Sequence, residues 1–135
     1  MGVFDSFNIS ASGMTAQRLR MDVISNNIAN VNTTRTEDGG PFRRQMVVFA
    51  ERGGRGNRTG RGVQVVGIQH STTPLRRMYN PDHPDADADG YVLMPNVDLV
   101  KEMVDMIEAS RAYEANVTAL QTTKDMALKA LQIGK

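Results

Sequence analysis

Cysteine and tryptophan are absent from the 135 residues, and aromatic side chains are few, four Phe and three Tyr. Without cysteine there is no disulfide framework, no thiolate nucleophile and no Cys-ligated zinc or iron–sulfur site. No uninterrupted apolar run is long enough to span a bilayer or to form the core of a secretory signal. An excess of one charge is also missing: 16 Lys and Arg stand against 15 Asp and Glu, so the field of the whole chain steers it toward neither nucleic acid nor a membrane. Catalytic patterns are missing too. His70 and His83 are the only histidines, and neither has a ligand partner at helical or strand spacing. There is no G-x-S-x-G, no G-x-x-x-x-G-K-[ST] and no G-x-G-x-x-G opening a helix. These absences exclude the common enzyme classes and predict no cofactor and no bound metal. One domain at most fits the length, as a binding module or a structural subunit.

What is present is unevenly placed. All five prolines and nine of the twelve glycines lie between Gly39 and Pro95. From Asn96 to Ile133 there is neither residue, and from Val3 to Asp38 the only one is Gly13. Flanks without breakers around a Gly/Pro-rich middle predict helix, irregular or β middle, helix. The expected division is an N-terminal helix over 1–33, a middle with short strands over 34–95 and a long C-terminal helix over 96–135. The fold class is mainly α with a small β region, the terminal helices packed as a coiled coil.

In the C-terminal flank, Asn96 after Pro95 is the expected N-cap, with Asp98 and Glu102 near the positive end of the dipole. Acids come early and lysines late. Steps of four and three give Leu99, Met103, Met106, Ser110, Tyr113, Val117, Leu120, Lys124, Ala127 and Leu131, a mostly apolar heptad seam. Val100, Val104, Ile107 and Leu128 widen it enough to touch more than one neighbour. Such a helix is about 55 Å long at 1.5 Å per residue, while a globule of this size is about 30 Å across. It protrudes. The N-terminal flank carries a broader stripe, Phe4, Phe7, Ala11, Met14, Met21, Ile24, Ile28 and Val31. Asn26, Asn27 and Asn30 near its end are poor helix formers, and two readings stand for them. They mark where the helix stops, or they fix register through side-chain hydrogen bonds. Pairing the two helices buries only one face of each, so further contacts are expected from other subunits.

The middle holds β-prone pieces at Gln45–Phe49 and Val63–Ile68, read as a hairpin whose tip, residues 51–62, carries Arg52, Arg55, Arg58 and Arg61. Phosphate contacts by this tip make a nucleic-acid-binding helical module the alternative reading. No aromatic stacking platform sits in the tip, and nucleic acid is not an expected partner. Asp85, Asp87, Asp89 and Gly90 match the start of an EF-hand loop. Its twelfth position is Asn96 instead of Glu, and Pro81 and Pro84 block an entering helix. An acidic turn leading into a strand at Tyr91–Met94 is the expectation.

The run Ser25-Asn26-Asn27-Ile28-Ala29-Asn30-Val31-Asn32-Thr33-Thr34 resembles the N-terminal signature of bacterial flagellar axial proteins, the rod, hook and hook-associated subunits. Gly39-Gly40-Pro41-Phe42-Arg43-Arg44-Gln45 follows after a spacer, Arg35 to Asp38, longer than the simplest family pattern. That spacer, the stretch His83–Val92, Pro95-Asn96-Val97-Asp98 and Met103–Asn116 are similar to the proximal-rod members of the family. The resemblance implies a structural subunit of the basal-body rod, a helical tube that transmits torque and contains part of the export channel. It also implies export through the flagellar type III apparatus without a cleaved signal peptide, and a place in the periplasm-spanning rod. The implied partners are copies of itself, other proximal and distal rod proteins, and the rod adaptor with the inner-membrane ring. No membrane span of its own is implied. The terminal helices are expected to form an inner coiled-coil layer. The residues expected in assembly or packing are Met14, Met21, Asn26, Asn27, Ile28, Asn30, Leu99, Met103, Met106, Tyr113, Val117, Leu120 and Leu131.

Overall fold

The computed structural model describes residues 2–53 and 60–134. Two helices, α1 (Val3–Ala29) and α2 (Leu99–Ile133), flank four strands, β1 (Gln45–Glu51), β2 (Val63–His70), β3 (Arg76–Tyr79) and β4 (Tyr91–Met94). None of the helices is long and apolar enough to cross a membrane.

The helix ends follow from their polar residues. Ahead of α1, the Gly2 N–H donates to the Asp5 carboxylate at 3.0 Å. At its other end, the Asn30 backbone N–H and side-chain Nδ2 both donate to the Asn26 carbonyl, at 3.1 and 2.9 Å. The Thr33 hydroxyl then donates to Asn30 Oδ1 at 3.1 Å. Asn26 and Asn30 therefore close the helix. α2 is capped by Asp98, whose Oδ1 accepts from the N–H groups of Val100 and Lys101 at 3.1 and 3.4 Å. This corrects the expectation for Asn96, which lies buried in the segment before the helix. A carboxylate suits the N-terminal end of the dipole. The 35 residues of α2 extend about 52 Å at 1.5 Å per residue.

The helices pack antiparallel. Along the pair, Asn27 meets Glu102, Arg20 meets Glu108, and Gly13 lies against Asn116. The seam differs from the apolar one expected. Leu99, Met103 and Leu131 are exposed, while Glu102 and Ala109 are buried and Met106, Tyr113, Asn116 and Leu120 are partly buried. Glu102, Ala109 and Asn116 repeat every seven residues, as do Met106, Tyr113 and Leu120. The coiled-coil period is thus real, but one of its two rows is small or polar. On α1 the buried positions are Ser10, Ser12, Ala16, Val23, Ile24 and Asn27. Small side chains at a contact let helix axes approach toward the short end of the usual 8–10 Å range.

β1 and β2 form an antiparallel hairpin against α1, in register from Gln45 opposite His70 to Glu51 opposite Val63. The register slips between Val48 and Phe49, where Val66 has no partner, a bulge that bends the ribbon. β3 and β4 form a second antiparallel pair, Arg76 opposite Met94 through Tyr79 opposite Tyr91. The strands expected at 45–49, 63–68 and 91–94 are present; β3 is an addition. Tyr79 and Tyr91 meet edge to face at 5.4 Å, and the Arg77 guanidinium sits 4.5 Å from the Tyr91 ring centre. Such contacts brace a two-stranded ribbon that is marginal by itself. Among the described residues the buried apolar side chains are few: Ala16, Val23, Ile24, Val92, Met94, Pro95, Val97 and Ala109.

Candidate assembly surface

The large exposed apolar side chains on the helices fall at the two ends of the pair. At one end, Leu99, Val100, Met103, Val104 and Ile107 lie at helical spacing on the first turns of α2. Val100 is 70% exposed and Ile107 54%. At the other end are Val3 and Phe4 of α1 with Met126, Leu128, Leu131 and Ile133 of α2, and Phe4 is 81% exposed. Between them the exposed positions are polar or alanine, such as Glu108, Arg111, Glu114, Ala115 and Thr118. Fully burying one Val, Leu or Met contributes about 1.5–3 kcal/mol. Contiguous apolar stripes of this kind mark interaction surfaces.

The expected assembly residues divide accordingly. Leu99, Met103 and Leu131 belong to the exposed stripes. Met14, Met21, Ile28, Met106, Tyr113, Val117 and Leu120 are partly buried along the pair. Asn26 is exposed and Asn30 partly buried at the end of α1, whereas Asn27 is almost wholly buried.

Asn27 belongs to a polar junction that sequence reasoning missed. Its Oδ1 accepts from the Gln45 N–H at 2.9 Å, and its Nδ2 donates to the Gln45 carbonyl at 2.9 Å. The side-chain amide thus pairs with the start of β1 as a neighbouring strand would. The same Nδ2 lies 3.2 Å from Glu102 Oε2. Glu102 is fully buried and takes the Arg44 Nε on its other oxygen, while the Arg44 Nη2 reaches Asp105 at 3.2 Å. The Arg44 backbone is held as well. Its N–H donates to Asn96 Oδ1 at 2.7 Å, and its carbonyl accepts from the Ser71 N–H at 2.7 Å. Asn96 Nδ2 donates in turn to the Thr73 carbonyl at 2.9 Å. A buried carboxylate is tolerated when it is paired and hydrogen-bonded, as Glu102 is. The available signal was Glu102 lying seven residues before Ala109, an acid on a seam row.

The acidic stretch forms turns. The Asp85 carboxylate accepts from the Thr34 hydroxyl at 2.6 Å and pairs with Arg35. These two bonds, the Thr34 bond foremost, hold its carboxyl below the ordinary value. Asp87 Oδ1 accepts from the N–H groups of Asp89 and Tyr91 at 3.0 and 2.9 Å. Among the described residues no cluster of three or more His or carboxylate side chains is arranged to hold a metal ion. Of the Gly/Arg tip, Arg55 and Arg58 lie outside the described residues, and Arg52 and Arg61 are exposed.

Two family models match the chain. "Flagella basal body rod protein" covers residues 7–35, and "Flagellar basal body rod FlgEFG protein C-terminal" covers residues 88–133. The chain is 52% identical to a "Flagellar basal-body rod protein FlgC" of Borreliella burgdorferi, over 98% of each chain. Proteins of the same description from Bacillus subtilis and Escherichia coli O157:H7 are 47% and 44% identical over 100% of each chain. The first match spans most of α1 and its exit, and the second runs from Ala88 through β4 and α2, so each contains one flank of the helix pair.

Proposed function

The chain belongs to the flagellar basal-body rod protein FlgC family, and on that premise we propose how its surfaces are used in the rod. It is a structural subunit of the flagellar basal body, assembling with other rod components and with itself. Nothing in these relatives supports the nucleic-acid reading of the Arg tip.

In the proposed arrangement the helix pair lies in the inner layer of the tube and the middle β region outside it. The exposed apolar stripes at the two ends of the pair receive helices of neighbouring subunits. Contacts between unlike surfaces that do not close into a ring generate a helical tube. The neighbours are proximal and distal rod proteins, with the rod adaptor and inner-membrane ring at the base, and the chain reaches the rod through the type III export apparatus without cleavage of a signal peptide. The single observation that carries the reading is the stripe Val100, Met103, Val104 and Ile107, apolar and exposed together on the first turns of α2.

The test is replacement of the chromosomal gene by Val104→Asp/Ile107→Asp. Both side chains are half exposed or more, so the stability of the purified chain should change by less than about 0.5 kcal/mol per site. Images of isolated basal bodies should lack the rod beyond this subunit. Complete rods at wild-type number would refute the assignment of this face.

A further inference from the structure

Among the described residues, the backbones of β1 and β2 lie close to α1, and no strand backbone lies close to α2. The hydrogen bonds and ion pairs that join the β region to α2 centre on one point. Arg44 reaches Glu102 and Asp105, and Asn96 ties the segment before α2 to Arg44, Ser71 and Thr73. Asn27 adds α1 to the same point through the backbone of Gln45. Four parts of the chain therefore meet on one dipeptide, Arg44-Gln45.

We infer that Asn27, Arg44, Asn96 and Glu102 form a joint that holds the middle β region at one angle to the helix pair. Apolar packing is indifferent to small rotations, because burial is non-directional and scales with area. Hydrogen bonds to fixed donors and acceptors are not, since they weaken steeply off line. A fully satisfied buried polar network selects one arrangement. This one is satisfied: among the described residues the only buried side-chain polar atom without a partner is Gln17 Oε1, outside the joint. The inference rests on the rod reading for its use, since an outer region moves with an inner layer only if the connection between them does not yield. Asn27, Arg44, Asn96 and Glu102 are positioning residues and touch no partner subunit in this reading.

The absence of cysteine makes the test direct. Gln69→Cys on β2 and Thr118→Cys on α2, both exposed and outside the joint, take nitroxide labels, and the distance between them is read by pulsed electron resonance in the purified full chain. One narrow distance is expected. Glu102→Ala should broaden it while helical circular dichroism persists, and Glu102→Gln, which retains an acceptor for Arg44, should restore the narrow peak. If Glu102→Ala loses its helices, Asn96→Ala, outside both helices, is read in its place and should broaden the distance. A broad distance in the parent chain, a narrow one surviving in Glu102→Ala and Asn96→Ala, or helix loss in both overturns the inference. The distances are read on unassembled protein. A failed joint is therefore distinguished from a failed interface, which blocks rods while leaving the distance narrow.

Discussion

Replacing a helical glycine by alanine ordinarily stabilises, by about 0.5–1 kcal/mol, because glycine loses more backbone freedom on folding. Gly13, midway along α1, should be an exception. A Cβ placed there comes within 2.8 Å of both terminal atoms of the Asn116 amide and 2.9 Å of its Cγ. The amide is not free to swing aside, since its Nδ2 donates to the Ala112 carbonyl at 2.9 Å. If it moves, that hydrogen bond is lost, at about 0.5–1.5 kcal/mol. If it stays, the helices must part, and overpacking of this kind costs about 1–3 kcal/mol. The cheaper response is taken, so the helical gain is cancelled and Gly13→Ala is expected to be no more stable than the parent, and less stable by up to about 1 kcal/mol. Urea unfolding followed by helical circular dichroism reads the change. In an Asn116→Ala background the obstacle is gone, so the same substitution should become stabilising, and the two sites should couple by about 0.5–1.5 kcal/mol. A stabilising Gly13→Ala in the parent chain, or equal shifts in both backgrounds, would refute the close seam on which this reasoning depends.

Asp85 supplies a pH dependence. Its folded-state value is depressed by the Thr34 hydroxyl and by Arg35, so its stabilising effect is complete above the unfolded value and lost as pH falls through the folded one. Asp85→Asn should therefore be less stable at neutral pH and show a shallower loss of stability below about pH 4; parallel acid profiles for the two chains would contradict this. Gly90 sits at φ +83°, and a Cβ there would lie 2.9 Å from the Tyr79 ring. Gly90→Ala should cost at least about 1–2 kcal/mol and weaken the tyrosine near-ultraviolet signal of the second hairpin, an effect that an unchanged signal would disprove. Asn27→Leu leaves the Gln45 N–H and carbonyl without their partner and takes one donor from Glu102. It should keep helix content, lose roughly 2–4 kcal/mol and impair rod assembly, and wild-type rods from this variant would sink that expectation.

The long elements were legible because large patterns carry them. Breaker-free flanks give helices, and alternating or β-branched pieces around a Gly-rich link give a hairpin. The seam was less legible, because large apolar side chains do not mark it. Leu99, Met103 and Leu131 satisfy the heptad arithmetic yet face outward, while Glu102, Ala109 and Asn116 hold the inner row. Hydrophobicity does not distinguish a row that faces its own chain from one that faces a neighbour. β3 escaped notice because Arg76 to Tyr79 has no alternation, all four side chains being exposed. The polar junction escaped for a different reason. Arg44 and Glu102 lie 58 residues apart, and the residue types of a pair at that separation do not announce that they meet. Of the two readings of the asparagines, the helix-ending one describes Asn26 and Asn30. Asn27 has a role within the chain that neither named, fixing the placement of β1.

The two helices are unequal, 27 residues against 35. They are aligned at the end where Asn27 meets Glu102, so the surplus falls at the other end, where α2 runs on past the start of α1 with Leu128, Leu131 and Ile133 uncovered. A pin with one long leg has a direction, and it seats in only one sense. Its two ends are therefore unlike, and an end-to-end contact between copies would join unlike surfaces, the kind of contact that leaves an array open at both ends.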